Sequence, residues 1–370
     1  MERMNELGFY TLAGNPESPR ALLDEVRQGE AMGFGSVFIS ERFNIKEAVT
    51  LSGAAGAISS EIGIATAATN QNTRHPIVTA SYAMTMHALT GGRFSLGLGR
   101  GIPMLFAMNG LAPITDDQII DFVGLMRRLW RGEMIAGHDG PAGKFPLLML
   151  DPAFDAHIPM TFTAFTKRSL ELAGRLFDAV VLHTFFTDET LARCVQTVKR
   201  AAEAAGRDPA SVRVWSCYAT IGDHVPAPLR LKKTVGRLAT YLQAYGDLLV
   251  RTNRWDPAVL ARFRADPLVA GFRGAIDAKA TTEELERIAP LLPVEWLAPS
   301  ATGSPARCVA QIRGQFDLGA DGVILHGATP DELAPIVAEY RATRPPGRFD
   351  HCVPNPAAPC DSLRQVPLGE

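Results

Sequence analysis

Short apolar runs alternate with amphipathic stretches almost without a break from residue 7 to residue 342, and that alternation leaves few folds open. Strands separated by helices cannot pair as hairpins, so they assemble a parallel sheet covered by the helices. The runs expected as strands are 7–12, 37–40, 62–68, 94–99, 160–164, 179–183, 212–221 and 322–326. Helix-start signals stand between them. Ser18-Pro19, Ser304-Pro305 and Thr329-Pro330 each place a capping residue before proline, and Thr115 with Gln118 and Thr329 with Glu332 read as capping boxes. Eight strands, each followed by a helix, predict an α/β (β/α)8 TIM-type barrel rather than an open sheet.

The connection from about 222 to 300 is far longer than a barrel turn and reads as a mainly helical insertion between strands seven and eight, with helices expected over 229–250, 258–265 and 282–291. Insertions of this kind cover a strand-end site and shape substrate choice. The barrel domain is assigned to residues 1–344, and the proline-rich stretch 345–370 to an extended or disordered tail.

With 370 residues, 46% of them hydrophobic, the chain can bury a large core, and its net charge of −2 gives no reason to expect nucleic acid or an anionic membrane as partner. No window is apolar enough to span a bilayer, and the first ten residues lack the order of a secretory signal. Five cysteines without a CxxC pair read as reduced thiols of a cytoplasmic protein. Strand one ends Phe9-Tyr10-Thr11-Leu12-Ala13-Gly14 with no metal ligand, which argues against a metal-dependent barrel hydrolase and for no metal site.

Function is most legible between residues 69 and 101, TNQNTRHPIVTASYAMTMHALTGGRFSLGLGRG. A strand ends in Thr69, Asn70, Gln71 and Asn72; a helix opens at Pro76; and the next strand stops at Gly97-Leu98-Gly99-Arg100-Gly101, where glycines let backbone approach a ligand. Two neighbouring strand ends thus lack bulk and carry amides and hydroxyls, as a planar cofactor requires. The stretch resembles the luciferase-like superfamily of flavin and deazaflavin enzymes, and in particular its branch using coenzyme F420, where TN-x-x-(T/S)-RHP followed by GGR-x-x-LG-x-G recurs. The order of segments is similar from about residue 7 to residue 342.

The resemblance implies a site. Its non-proline cis peptide falls at Ala67-Ala68, against the middle of the cofactor ring, with Thr69 and Asn70 near the ring edge or simply forming the turn. Gly99, Arg100 and Gly101 form one phosphate cradle, and Ala164, Phe165, Thr166 and Lys167 the other. Thr166-Lys167 stands where relatives carry Gly-Pro. After strand two, relatives often read S-D-H-F; here Ser40-Glu41-Arg42-Phe43 keeps an acid but puts arginine in place of the histidine. Arginine stays protonated, so the catalytic candidates are Glu41 for proton handling and Arg42 for an oxyanion or substrate anchor, the plain alternative being an ion pair closing the barrel top. Ile102 replaces a glutamate common in relatives. His75, His183 and His326 read as satisfied polar residues.

These expectations describe an oxidoreductase: an F420-dependent reductase or dehydrogenase passing a hydride to or from an unidentified small molecule. One alternative is an FMN-dependent luciferase-like monooxygenase using O2. Another, given Arg42 and Ile102, is a non-catalytic F420-binding protein. The superfamily commonly dimerises, so a homodimer is the implied assembly, although no segment marks an interface.

Overall fold

Eight parallel strands close on themselves: β1 Met4–Tyr10, β2 Phe34–Ile39, β3 Gly63–Thr66, β4 Phe94–Leu98, β5 Met160–Thr163, β6 Ala179–Val181, β7 Arg213–Gly222 and β8 Gly322–His326. Each pairs with the next in chain order, and β8 pairs with β1 through Leu7–Val323, Gly8–Ile324 and Phe9–Leu325. The expected (β/α)8 barrel is therefore present in this computed structural model, which describes residues 2–43 and 45–358. Every residue of β2, β4 and β7 is buried, as strands covered by helices outside and by side chains inside must be. Inside the ring Phe38, Ala65, Val181, Trp215 and Ile324 form a small cluster, with the Phe38 and Trp215 rings 5.0 Å apart; the larger core lies between strands and helices.

The strand ends differ from expectation where the backbone turns. β1 stops at Tyr10 because Leu12 takes a left-handed φ of 54°. β3 stops at Thr66, just before the cis peptide bond between Ala67 and Ala68. Both capping boxes form, Thr115 with Gln118 and Thr329 with Glu332. The loop 100–114 holds a short helix, Pro103–Met108. Between the helix Asp116–Leu129 and β5 an antiparallel hairpin pairs Ile135–Gly140 with Gly143–Leu148. No strand was expected there, since the hairpin is mostly exposed and its polarity mixed.

Between Gly222 and Ser300 the chain is helical, its longest piece being Arg237–Asn253. It returns through Ser300–Gly303, which pairs in parallel with the end of β7 outside the ring. No helix among the described residues is long and apolar enough to cross a membrane.

The tail expectation needs correcting as far as residue 358. Instead of hanging free, the stretch caps the amino-terminal end of the barrel. Ala357 joins the cluster inside the ring, Trp215 Nε1 donates to Pro356 O at 2.7 Å, and Arg213 Nη1 donates to Asn355 O at 3.1 Å. Hydrogen bonds between single side chains and backbone groups, not side-chain periodicity, hold it, which is why the sequence pattern gave no sign. Residues 359–370 lie outside the described residues. Asn355 is the pin: its amide donates to Gly92 O (2.7 Å) and Phe94 O (3.1 Å) and accepts from Ala357 N (2.9 Å) and Ala358 N (3.0 Å). Asn355→Ala would leave those buried groups unpaired, so a loss of about 2–4 kcal/mol is expected in urea unfolding; a loss under about 0.5 kcal/mol would show that the cap is dispensable.

Candidate active site

Above the carboxyl ends of the strands lies a cavity of about 600 Å³. Nearly every strand end contributes to its wall: Tyr10 from β1, Arg42 and Lys46 after β2, Ala67 and Ala68 after β3, Gly101 after β4, Thr163 to Thr166 at β5, His183 after β6 and His326 at β8. Helix Arg237–Asn253 of the insertion adds Arg237, Tyr241, Tyr245 and Leu248. Strand ends placing polar groups around a cavity beneath a covering segment is the usual site geometry of such barrels.

The rims of β3, β4 and β5 are fastened to one another. Thr69 N donates to Gly97 O at 3.0 Å and Gly99 N to Thr69 O at 2.8 Å. Tyr10 Oη donates to Ala67 O at 3.0 Å. Two of the glycines serve this junction rather than a ligand. A Cβ on Gly97 would overlap the Thr66 carbonyl oxygen, and one on Gly99 would stand 2.5 Å from Thr163 Oγ1. Gly101, with φ 69°, is the glycine of that loop that lines the cavity.

The expected site residues divide into two groups. Ala67, Ala68, Arg100, Gly101, Ala164, Phe165, Thr166 and Arg42 come together on the cavity wall. Glu41, Thr69, Asn70, Gly99 and Lys167 do not line it. Glu41 corrects the expectation of a proton carrier: its side chain is 3% exposed and pairs with Arg74 Nη2 at 2.6 Å. It also accepts from Thr69 Oγ1 at 2.8 Å, Asn70 Nδ2 at 3.4 Å and Ala48 N at 3.2 Å. A carboxylate so engaged is a clamp under the rim. Thr69 and Asn70 turn toward it instead of toward a ring edge. Lys167 is 82% exposed and leans on Glu171 at 3.6 Å, because a residue in the first turn of helix Lys167–Leu176 projects from its outer face. Arg100 is held by Ile114 O (2.6 Å) and by Asp116.

Helix Lys167–Leu176 nevertheless begins at the cavity, where Thr166 and Ser169 cap each other. Ser169 Oγ accepts from the backbone amides of Thr166 (2.9 Å) and Phe165 (3.2 Å), so the hydroxyl occupies amides that an anion would otherwise take. An anion there would meet the remaining first-turn amides.

Sequence reasoning overlooked Lys46, Arg237, Tyr241 and Tyr245, all on the wall. Lys46 Nζ donates to Leu12 O at 2.7 Å and Ser40 Oγ at 3.3 Å, leaving one donor position. Burial, then the Arg42 guanidinium, lowers this amine to about 7. A lysine shortly after a strand-end arginine was the available signal. Arg237 and Tyr241 lie one helical turn apart and Tyr245 follows at a kink in the helix (φ −153°), so only an amphipathic reading of the insertion could have singled them out. His183 carries more than rim polarity. Burial pushes it down to about 4, so it is neutral, accepting from Tyr245 Oη at Nε2 (2.9 Å) while Nδ1 donates to Thr184 O (2.8 Å). His326 is also held well below its ordinary value, by burial and then by Arg237, and its buried Nδ1 has no hydrogen-bond partner among the described residues.

The fold is a (β/α)8 barrel with a cavity at its strand ends. The luciferase-like monooxygenase family matches residues 5–322. The chain belongs to that family and, with it, to the oxidoreductases. It is 26% identical over 301 residues to a 5,10-methylenetetrahydromethanopterin reductase of Methanolobus tindarius, covering 80% of this chain and 86% of the relative. To an F420-dependent glucose-6-phosphate dehydrogenase of Intrasporangium calvum it is 26% identical over 351 residues, covering 89% and 95%. The solved coenzyme F420-dependent tetrahydromethanopterin reductase of Methanopyrus kandleri superposes with a TM-score of 0.73 at 18% identity, over 92% of this chain and 98% of that one. At that identity the likeness is one of fold.

Proposed function

We propose that this chain is a coenzyme F420-dependent oxidoreductase, passing a hydride between the deazaflavin and a small organic substrate beneath helix Arg237–Asn253. One observation carries the reading: Ala68, Gly101 and Ala164, on the rims of β3, β4 and β5, face a single cavity of about 600 Å³. The groups present fit a flat redox cofactor. Small side chains leave room for a ring, the unpartnered His326 Nδ1 offers a polar contact, and the helix start at Thr166 suits a phosphate. Ala67 and Ala68 would wall the ring, with Gly101, Thr166 and Ser169 near the phosphate. When bound, the cofactor supplies the hydride chemistry at ring carbon five.

The protein's own groups do the rest. Tyr241, Tyr245 and Leu248 of the covering helix exclude water. Lys46 Nζ, which can hold or release a proton near neutrality, takes the proton-handling role, since Glu41 is engaged by Arg74 and does not line the cavity. A titrating amine on the wall also favours an enzyme over a non-catalytic binding protein. A cytoplasmic location and a homodimer belong to the same proposal; the buried thiols of Cys194, Cys217 and Cys308 suit a reducing compartment.

The test is titration of the purified protein with F420 and, separately, with FMN, followed by cofactor fluorescence. Micromolar or tighter binding of F420, with FMN weaker by about tenfold or more, is expected. Preference for FMN would move the chain to the monooxygenase side of its family.

A further inference from the structure

Two guanidinium groups on the cavity wall approach Gly14. Arg42 Nη2 donates to Gly14 O, and Arg237 Nη2 stands 3.5 Å from the point where a Gly14 Cβ would lie. Both line the cavity, and Arg237 also sits over the Tyr241 ring at 5.7 Å. A single carboxylate, Asp277, acts on both of them. Arg237 pairs with Asp277 at 2.7 Å, a carboxylate that Thr240 holds in place. Arg42 makes neutral contacts only, to Gly14 O and Asn15 Oδ1 (3.4 Å), and has no carboxylate within ion-pair distance among the described residues. Lys46, protonated only in part near neutrality, adds to the positive charge, and the carboxylate acting on it is Glu25, which is tied to Thr11 Oγ1 and Leu12 N at 2.6 Å each. Burial and the neighbouring Arg237 both lower the Arg42 guanidinium, so the two cations feel each other across the cavity wall.

We propose that Arg42 and Arg237 form an anion anchor, and that the substrate is a small organic acid or phosphate ester whose charged group they hold while its reacting carbon lies toward Ala68. Cations withdrawn from water without a matching charge are costly. A planar guanidinium pair matches carboxylate or phosphate oxygens, and the apolar body of such a molecule would rest on Tyr241 and Tyr245. The inference rests on the F420 reading for its reaction, but not for its binding measurement.

That measurement is calorimetric titration with pyruvate, its neutral methyl ester and inorganic phosphate at fixed ionic strength, with and without saturating F420. Pyruvate or phosphate should bind and the ester should not. Arg42→Gln and Arg237→Gln should each weaken the anion by about tenfold or more, and Arg42→Lys should retain part of the affinity. Arg237→Gln strands Asp277, so Arg237→Gln with Asp277→Asn is measured beside it; if neither folds, Arg42 decides alone. Equal binding of acid and ester, or unchanged affinity in both glutamine variants, would overturn the anchor. Displacement of the anion by F420 would also overturn it, because the pair would then hold the cofactor's phosphate. Anion binding that survives while F420 fails to bind would sink the cofactor reading and leave the anchor standing.

Discussion

Exchanging Lys46 for methionine is expected to slow turnover by about 100-fold or more and to remove its pH dependence near neutrality. The reason is that burial beside Arg42 leaves the Lys46 amine at about 7, where it can both give and accept a proton. In the direction that reduces substrate the ammonium is the useful form, so activity should fall as pH rises through about 7. In the oxidising direction the neutral amine is useful, and activity should rise over the same interval. Stability provides a readout independent of the cofactor. The unfolded chain keeps the proton up to about 10.5 and the native one only to about 7, so the native state gains stability as pH rises between those limits, and the full cost of the buried ammonium is present below about 7. Methionine also removes the donor to Leu12 O, a loss that does not vary with pH. Urea unfolding at several pH values should therefore show the variant gaining on the wild type as pH falls toward neutrality. A wild-type pH–rate profile flat through neutrality, or parallel stability curves, would remove Lys46 from the chemistry.

Arg74→Met should cost about 3–5 kcal/mol, since it strands the Glu41 carboxylate out of water. Arg74 Nη1 also donates to Thr69 Oγ1 at 2.7 Å, and Thr69 ties β3 to β4 directly after Ala68. The damage should therefore reach the cavity and weaken F420 binding along with stability. Adding Glu41→Gln removes the stranded charge and should recover much of the loss, a coupling that the double-mutant cycle measures. A cost below about 1 kcal/mol would mean that the pair is worth no more than an exposed ion pair.

The barrel was legible because its strands carry continuous apolar runs and its helices carry their own start signals, such as the boxes at Thr115 and Thr329. Neither the hairpin 135–148 nor the cap by residues 345–358 has such a pattern. One mixes exposed, half-buried and buried positions without a clear alternation, and the other is held by Asn355 and by carbonyls that the sequence does not display. Within the site, the cis peptide stands at Ala67-Ala68 and Gly101 lines the cavity, whereas Gly99 is taken up by the strand junction. Side-chain roles did not follow as well. Glu41 follows an apolar strand just as a catalytic acid would, yet Arg74, thirty-three positions on, claims it. Arg237 comes from an insertion with no motif, and its position depends on how that helix crosses the barrel mouth.

A crystal structure of the protein soaked with F420 tests the central claim most directly. The account predicts the deazaflavin ring against Ala67 and Ala68, with its phosphate between Gly101 and the helix start at Thr166. A ring bound elsewhere, or a cavity that stays closed to F420 at saturating concentration, would contradict it.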